Sequence, residues 1–476
     1  MKKDRSRRQV ARSGRSAMII LPLYHALQNG ITGFSGIHKD HQLGMTSLIW
    51  EYGSNIKRHS SMKLYDFMTI SYKRLQDDFG KGGFNRINTD LNLFEVTPNW
   101  NYSEGQTKGY KPTSKVLNIK YKCMSECAEV NNIPLIDING RRILTPPKAI
   151  LSKDKKGVTI KAWRNLQVSS VVSINRSSLD EFGENLNLSL LNKFKNDKPE
   201  VVDNFYSDID AYRYLDLLSR NNIAIDSIIQ CYQESDSGRL YGTGINLQNA
   251  PKIIRRAALA GNYNYDIQNC HFSILNQKAT GYGLYLGTIE HYLKNKKEVR
   301  NSISKDMGLS IKVIKEVLIA MLYGSPLGKY GNSVSNKVGV DKIDEIMADD
   351  FFIGMNQDIK RARKTIIDKS SISRGRLSNA MGKKIVVSNT TKPQQLAHLL
   401  QGVEALVLKT IVTQYNKNIL LLLHDGFVSN EELDIKYMEE NIKFETGYNL
   451  VLESEVIKSP AKAEISKRLS SHLEKS

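Results

Sequence analysis

Two strand-like segments in the second half of the chain each lead to an aspartate. The segment YNYD ends at Asp266, after which the spacing of the apolar residues becomes helical. The aliphatic run 419–423 leads into a His-Asp-Gly turn around Asp425, and apolar residues then resume. The second pattern predicts a β-hairpin with Asp425 at its tip. The sequence therefore favours a fold in which strand ends from separate parts of the chain present two carboxylates.

This pair of carboxylates suits one kind of metal chemistry. Mg²⁺ takes oxygen ligands, and two ions about 3.5–4 Å apart can clamp the attacking and leaving oxygens of a nucleotidyl transfer. A single aspartate at a turn is more often a cap or a surface residue, so neither position is specific by itself. Together, Asp266 and Asp425 are predicted as ligands of two Mg²⁺ ions.

A helix between the two aspartates carries a lysine near its start and a tyrosine near its end. Its pattern covers 312–324, ends at Gly324 and is followed by Pro326 as a stop signal. The eight-residue separation of Lys315 and Tyr323 is a rise of about 12 Å, close to the length of a nucleoside triphosphate. Lys315 then suits the phosphates and Tyr323 the base and sugar. The alternative is a solvated lysine and a core tyrosine.

Composition indicates a polyanionic partner. The 476 residues carry a formal net charge of +19, which favours nucleic acid first and an anionic membrane surface second. Four cysteines are too few for a disulfide framework, and the N-terminus lacks the form of a signal peptide, so we expect an intracellular protein. The run 419–423 is far below the roughly 20 residues that span a bilayer, which predicts no membrane partner.

Residues 1–16 form a predicted basic tail with seven Lys or Arg.

Several short motifs follow one another in an order that resembles a known family. These are Gly238-Arg239, the NLQNAP segment 246–251, Asp266, the helix from Lys315 to Tyr323-Gly324, Gln401-Gly402 and His424-Asp425-Gly426. In order and spacing they resemble the polymerase motifs of family A DNA polymerases. The resemblance covers roughly residues 228–457, about half of the chain.

The resemblance implies an α+β fold of the right-hand polymerase kind. A palm sheet would carry Asp266 and Asp425, and the fingers would cover about 277–390. Composition predicts a tail at 1–16 and a boundary at the polar stretch 195–199; elimination leaves 17–200 as a nucleic-acid grip or partner region, and palm and fingers would occupy 201–476. The implied activity is primer extension by a DNA-directed DNA polymerase, with primed template nucleic acid and nucleoside triphosphates as partners.

The resemblance also implies roles for single residues. Asp266, Asp425 and Lys315 would be catalytic. The nucleotide would contact Lys312, Lys315, Tyr323 and His271. The primer and template would contact Arg239, Gln248, Asn249, Gln401 and His424.

Four positions depart from the family pattern. Ile311 stands where the family has an arginine, although Lys312 beside it can supply the charge. Ile319 replaces an aromatic residue, and Gly426 replaces a third acid. His271 replaces a glutamate that excludes the 2′-hydroxyl, and it could act either as a bulky gate or as a hydrogen-bonding reader of ribose.

Two other functions stay open. Single-subunit phage-type RNA polymerases share the fold and the Lys-to-Tyr-Gly-Ser helix. Against them stand the NLQNAP segment, His271 where they carry glycine, and Gln401 where they use a histidine, so we favour DNA synthesis. An inactive relative that only binds nucleic acid is the second alternative, because of Ile311, Ile319 and Gly426.

Overall fold

The computed structural model describes residues 18–52, 67–97, 108–146, 171–193, 203–329 and 333–471. Within these ranges the chain folds as a mixed α+β protein, which confirms the predicted class. The basic segment 1–16 and the polar stretch 195–199 lie outside the described residues.

Helices and short strands alternate along the described chain. The helices are α1 (Leu21–Gly30), α2 (Lys39–Glu51), α3 (Tyr72–Phe79), α4 (Gly83–Leu91), α5 (Ser114–Cys127), α6 (Arg176–Lys193), α7 (Asp203–Ser219), α8 (Lys252–Ala258), α9 (Cys270–Thr280), α10 (Gly287–Lys294), α11 (Lys296–Met307), α12 (Ile311–Leu322), α13 (Ser335–Val338), α14 (Val340–Ala348), α15 (Asp350–Lys369), α16 (Lys392–Tyr415), α17 (Ile435–Thr446) and α18 (Lys462–Ser471). The strands are β1 (Ile19–Ile20), β2 (Met68–Thr69), β3 (Phe94–Val96), β4 (Gly109–Pro112), β5 (Leu135–Ile136), β6 (Val171–Ser173), β7 (Ser227–Ile229), β8 (Tyr232–Glu234), β9 (Leu240–Gly242), β10 (Tyr263–Ile267), β11 (Ile372–Ser373), β12 (Arg376–Ser378), β13 (Lys384–Val386), β14 (Ile419–Leu422), β15 (Gly426–Ser429) and β16 (Leu452–Val456).

The central sheet has four antiparallel strands in the order β14-β15-β10-β16. Strands β14 and β15 form the predicted hairpin, and β10 carries Asp266. Successive side chains of a strand point to opposite faces. On β10, Tyr265 points into the core, where its ring stacks on Phe427 with centroids 4.8 Å apart. Asp266, the next residue, is exposed on the other face.

Two clusters of buried apolar side chains stabilise the fold. The first contains Leu23 and Trp50 from the N-terminal part together with Ile254 and Val428. The second contains Tyr265 of the central sheet and apolar residues of α9, α12, α15 and α16. Strand β6 also pairs with β7 across residue 200. The first core therefore draws on both sides of the predicted domain division, which stays a prediction.

The predicted lysine helix is α12, which begins one residue before the predicted start and ends at Leu322. Ser310 caps it, its hydroxyl accepting from the Val313 N–H. Two residues past the helix, Gly324 has a φ of +96°, and a Cβ there would lie 2.5 Å from Cβ of Pro393. Both the left-handed backbone and the close approach require glycine at this turn.

Helix α16 is the longest of the described helices and begins at Lys392. Thr391 and Gln394 form a reciprocal capping box at its start. Among the described helices it is the one long and apolar enough to cross a membrane by length and composition, and 67% of its most apolar window is buried inside the protein. Polar residues such as Gln401 and Glu404 interrupt its apolar pattern, so the helix contains no long uninterrupted aliphatic run.

The first core encloses a lysine. Lys120 on α5 is fully buried and donates to the Tyr52 carbonyl. Its ammonium lies 5.0–5.5 Å from the ring centroids of Tyr52, Tyr121 and Tyr214. Burial lowers the pKa of Lys120 to about 7, and the charge of Asp210 only partly opposes this shift.

We expect the free energy of unfolding of the wild-type protein to fall as the pH is lowered from 9 to 7, and Lys120→Met to remove this fall. The folded-state pKa of about 7 is below the value of about 10.4 in an unfolded chain, so between these values the unfolded chain binds the extra proton and stability rises with pH. From pH 7 to 9 the wild-type free energy of unfolding should rise by up to about 1 kcal/mol per pH unit relative to Lys120→Met. Denaturant titrations across this range measure the difference, with Lys122→Met on the exposed side of α5 as the control. Parallel pH profiles for wild type and Lys120→Met would contradict the buried charge.

Candidate active site

Asp266 lies on β10 of the central sheet, and Asp425 lies in the turn directly before the neighbouring strand β15. Asp266 pairs in register with Gly426, the residue after Asp425, and the Ile267 N–H donates to the Asp425 carbonyl at 2.9 Å. Both aspartates are exposed. The fold therefore brings the two predicted metal ligands together at one end of the β10–β15 ladder.

Close strand packing explains why a glycine follows Asp425. A Cβ at Gly426 would lie 2.2 Å from the carbonyl oxygen of Tyr265 on β10. No side chain fits there unless β15 moves away. A third carboxylate instead comes from the other neighbouring strand, since Glu453 on β16 pairs in register with Asp266.

The charges around Asp266 fit a divalent cation. Although Asp266 is exposed at the surface, the protein packed around its carboxylate partly desolvates it and raises its pKa to about 7. The negative charges of Asp425 and Glu453 add to the shift, while Lys296 and Lys252 oppose it. A bound cation would relieve this repulsion between carboxylates. Carboxylate oxygens are also the ligands that Mg²⁺ prefers, so the residues present suit this ion.

A cleft of about 780 Å³ opens beside Asp266. Helix α12 contributes Ile311 and Lys315 to its wall, which places the predicted phosphate ligand in the same cleft as the predicted metal ligand. Lys312 is exposed on the first turn of α12 but does not line the cleft. The remaining cationic lining residues are Lys252, Lys296, Lys297 and Arg300.

Lysine and arginine side chains of α11 and α8 therefore supply positive charge to the cleft in which Ile311 replaces an arginine of the family pattern. Lys296 bridges to Glu453 at 3.0 Å, and Arg300 donates to the side-chain oxygen of Asn269 at 3.0 Å. Ile311 leaves no charge at its own position on α12, yet the cleft holds five Lys or Arg side chains in all. A strongly anionic ligand such as a triphosphate fits this lining.

Four side chains from separate elements form a buried network next to the end of α12. The Tyr323 hydroxyl bonds to His271 Nδ1, and His271 Nε2 bonds to the Glu404 carboxylate. The Arg239 guanidinium pairs with the same carboxylate oxygen and approaches His271 Nε2 at 3.0 Å. The side chains of Glu404, His271 and Arg239 are only 0%, 7% and 11% exposed. Burial alone would lower the pKa of Arg239, but the Glu404 carboxylate raises it, so the guanidinium stays charged.

The network places two predicted ligand contacts inside the protein. Both ring nitrogens of His271 are used by protein partners, and Arg239 is paired with Glu404. Tyr323 is half-buried and its ring lies 5.5 Å from that of His271 in an edge contact. Tyr323 is therefore the member of this pair that a nucleotide could reach.

The side-chain amide of Gln248 also makes its hydrogen bonds within the protein. Its amide accepts from the Gly242 N–H at 2.6 Å and donates to the carbonyls of Leu240 and Leu422 at 3.1 and 2.9 Å. These bonds tie β9 to β14. Asn249, in contrast, is exposed, with its amide donating to the Gly242 carbonyl at 3.1 Å. The predicted nucleic-acid contacts of both residues stay predictions.

Gln401 and His424 are the remaining predicted contacts of primer and template. Gln401 is half-buried on α16. The His424 ring lies 4.8 Å from that of Tyr241, and its Nδ1 is buried without a hydrogen-bond partner among the described residues. Burial lowers the pKa of His424, so the ring is neutral near pH 7.

Sequence reasoning missed Glu404 and the cations of α11. A single glutamate inside the apolar run VEALVL is a usable signal, because a charged residue on a buried helix face needs a partner. On α11 the signal was the spacing of Lys296, Lys297 and Arg300, since residues three and four apart share one helix face.

Cys270, His271 and Glu404 place possible ligand atoms within 4.8 Å of one another. The Arg239 guanidinium already lies against both His271 and Glu404, so a cation occupies the position that a metal would take. Burial raises the pKa of the Cys270 thiol well above its usual value, so the thiol stays protonated near pH 7.

Comparison with known proteins found a number of similar solved structures. The POL domain of Pol1 from M. smegmatis, solved in complex with DNA primer-template and dNTP, is similar over 66% of this chain with 15% sequence identity and a TM-score of 0.39. The match covers 58% of that structure, less than two thirds of its length. No family and no curated protein matches the sequence.

Proposed function

We propose that this protein is a template-directed nucleotidyl transferase, specifically a DNA polymerase that extends a primer with two Mg²⁺ ions. One observation supports the proposal above all others. Asp266, which neighbours Asp425, shares a cleft with Lys315 and four further cations. Phosphoryl transfer from a triphosphate needs carboxylates that bind metal ions next to cations that bind the phosphates, and this cleft contains both.

Each side chain then has a defined role. Asp266 and Asp425 would hold the metal ions, with Glu453 as the third carboxylate nearby. When bound, Mg²⁺ lowers the pKa of the primer 3′-hydroxyl and stabilises charge on the phosphates. The hydroxyl attacks the α-phosphorus, and Lys315 binds the pyrophosphate that leaves. Base pairing with the template supplies specificity, while the net charge of +19 suits a grip on the backbone.

Deoxynucleotides are the proposed substrates. The rings of Tyr323 and His271 form a bulky pair at the end of α12 opposite to Ile311. If the phosphates lie near Lys315, the sugar and base lie toward Tyr323, since a nucleoside triphosphate is about as long as this part of the helix. The Tyr323 ring at the sugar edge, with the buried His271 ring behind it, leaves little room for a 2′-hydroxyl.

Primer extension on a defined template tests the proposal. Separate pools of deoxynucleotides and ribonucleotides, each with Mg²⁺, should give extension with the deoxynucleotides. Extension only with ribonucleotides would instead favour an RNA polymerase. Tight template binding without incorporation from either pool would favour an inactive nucleic-acid-binding protein.

We expect Lys315→Ala to lower kcat/KM for nucleotide incorporation by about 10²-fold, because the leaving phosphates lose a positive charge. Steady-state incorporation on a primed template measures the change. Lys305→Ala, at an exposed position of α11 outside the cleft lining, is the control. An unchanged rate in Lys315→Ala would show that this lysine is only a surface residue.

A further inference from the structure

We propose that a surface outside the cleft binds the unpaired part of the template strand, ahead of the base that directs incorporation. This tyrosine surface consists of Tyr282 and Tyr285, in the loop between α9 and α10, and of Lys360, Arg361 and Lys364 on α15. The choice of the template strand rests on the proposed function. The preference for a single strand follows from the surface itself.

The loop 281–286 presents two tyrosine rings to solvent. Tyr285 is 69% exposed and Tyr282 is 38% exposed. The leucines that alternate with them anchor the loop, since Leu286 is buried and Leu284 packs against the second core. The N–H groups of 282–284 all donate to carbonyls at the end of α9, at 2.8–3.0 Å. The loop is therefore held in place while its two rings stay accessible.

The Tyr285 ring lies along the start of α10. A Cβ at Gly287 would lie 3.3 Å from Cε1 of this ring and 3.8 Å from its hydroxyl oxygen. Backbone therefore supports the ring on one side, and most of its remaining surface is open. Unpaired bases of any sequence stack on such a ring, because every base has a π-face.

Each ring has a cation beside it. The Lys278 ammonium lies 5.8 Å from the centroid of the Tyr282 ring, and the Arg361 guanidinium donates to the Tyr285 carbonyl at 3.4 Å. Arg361 also pairs with Asp358 at 3.5 Å, but this carboxylate is buried and accepts from two N–H groups at the start of α10. The Arg361 guanidinium is exposed, so it can also bind a phosphate.

Helix α15 extends this positive charge. Lys360, Arg361 and Lys364 are exposed on one face of the helix, since residues three and four apart share a face. Asp368 is the carboxylate at the end of this face. Open rings next to cations suit a single strand, whose bases stack while its phosphates need counter-charges. The base faces of a duplex are covered by the neighbouring pairs, so a duplex cannot use the rings.

The position of the surface on α15 indicates which single strand it binds. Arg363, two residues after Arg361, places its Nη2 3.9 Å from the position of a Cβ at Gly324. Its Nε is buried without a hydrogen-bond partner among the described residues. By the proposed function the base pair forms near Tyr323, directly before Gly324. A template strand that passes this turn can reach Tyr285 across the width of α15, about 10 Å.

The test is Tyr285→Ala, measured by fluorescence anisotropy on two primer-templates. One has a single unpaired template nucleotide beyond the primer, and the other has a 5′ template overhang of about 12 nucleotides, within the usual site size for single strands. Tyr285→Ala should raise the Kd for the long overhang about 10-fold, as expected for the loss of one stacked base, and leave the Kd for the short overhang unchanged.

Two matched variants show whether the ring causes the change. Tyr285→Phe keeps the ring and should bind both primer-templates like wild type. Tyr437→Ala removes a tyrosine of 55% exposure on α17, outside this surface, and should change neither Kd. A Tyr285→Phe variant as weak as Tyr285→Ala would overturn the stacking role.

Arg361→Gln tests the charge. On the long overhang, the slope of log Kd against log salt concentration should fall by about 0.7, the change expected for one lost phosphate contact on a single strand. On the short overhang the slope should not change. Equal slopes for wild type and Arg361→Gln on the long overhang would overturn the phosphate contact.

Other outcomes would overturn the inference as a whole. These are an unchanged Kd of Tyr285→Ala for the long overhang, or an equal loss on both primer-templates together with a lower Tm. A loss confined to a 5′ flap on a downstream strand annealed to the template would assign the surface to that strand instead. A loss confined to phosphatidylserine vesicles would assign it to a membrane.

Binding is measured without catalysis, which separates this inference from the proposed function. Wild-type protein that shows the expected dependence on Tyr285 but incorporates no nucleotide would overturn the polymerase and leave a single-strand binding surface. Incorporation with no effect of Tyr285→Ala on binding would do the reverse.

Discussion

Asp266→Ala and Asp425→Ala should each lower the rate of nucleotide incorporation by at least about 10³-fold, because each removes a carboxylate ligand of the proposed metal ions. The two residues neighbour each other across β10 and β15 and share the charge repulsion that a cation would relieve. Single-turnover extension of a labelled primer at saturating Mg²⁺ measures the loss.

Template binding separates a metal defect from a folding defect. Both variants should bind primed template nearly as tightly as wild type in fluorescence anisotropy, since backbone contacts depend on cations elsewhere. Asp368→Ala, an exposed aspartate on α15, should keep full activity. Either metal-site variant with more than a few per cent of the wild-type rate would contradict the assignment of that residue.

Local patterns predicted those parts of the site that depend on neighbouring residues in sequence. The aliphatic run and the turn around Asp425 give the β14–β15 hairpin, because strand and turn signals act over a few residues. The end of α12 near Gly324 follows from the same kind of signal, since only glycine accepts the backbone of that turn. The strand that carries Asp266 is likewise present as β10.

Contacts between distant segments could not be predicted in this way. The predicted contacts of His271 with nucleotide and of Arg239 with primer stay predictions, and the bonds that both side chains make to Glu404 were not predicted. Gln248 is similar, because its amide joins β9 to a strand far along the chain. A single sequence gives the chemistry of each side chain but not its partner, and burial decides whether a polar group serves a ligand or the protein.

The strand contact at Gly426 leads to the second large effect. Gly426→Ala should lower incorporation about as strongly as loss of Asp266, because the new Cβ would lie 2.2 Å from the Tyr265 carbonyl oxygen and must push β15 away from β10. Overpacking of this kind typically destabilises a protein by about 1–3 kcal/mol, so the Tm should fall too. Gly36→Ala is the matched control, since a Cβ there meets nothing within 4 Å.

Gly426→Glu distinguishes a missing acid from a packing requirement. If Gly426 meant only that the third acidic metal ligand of the family pattern is lost, Gly426→Glu would raise the activity, or would restore it in an inactive protein. The backbone contact predicts the opposite: Gly426→Glu should lose activity at least as completely as Gly426→Ala, since both must separate the strands that hold Asp266 and Asp425 together. Activity equal to or above wild type in Gly426→Glu would show that β15 can shift without harm. Circular dichroism and Tm measured on both variants show whether the loss arises at the strand pair or from general unfolding.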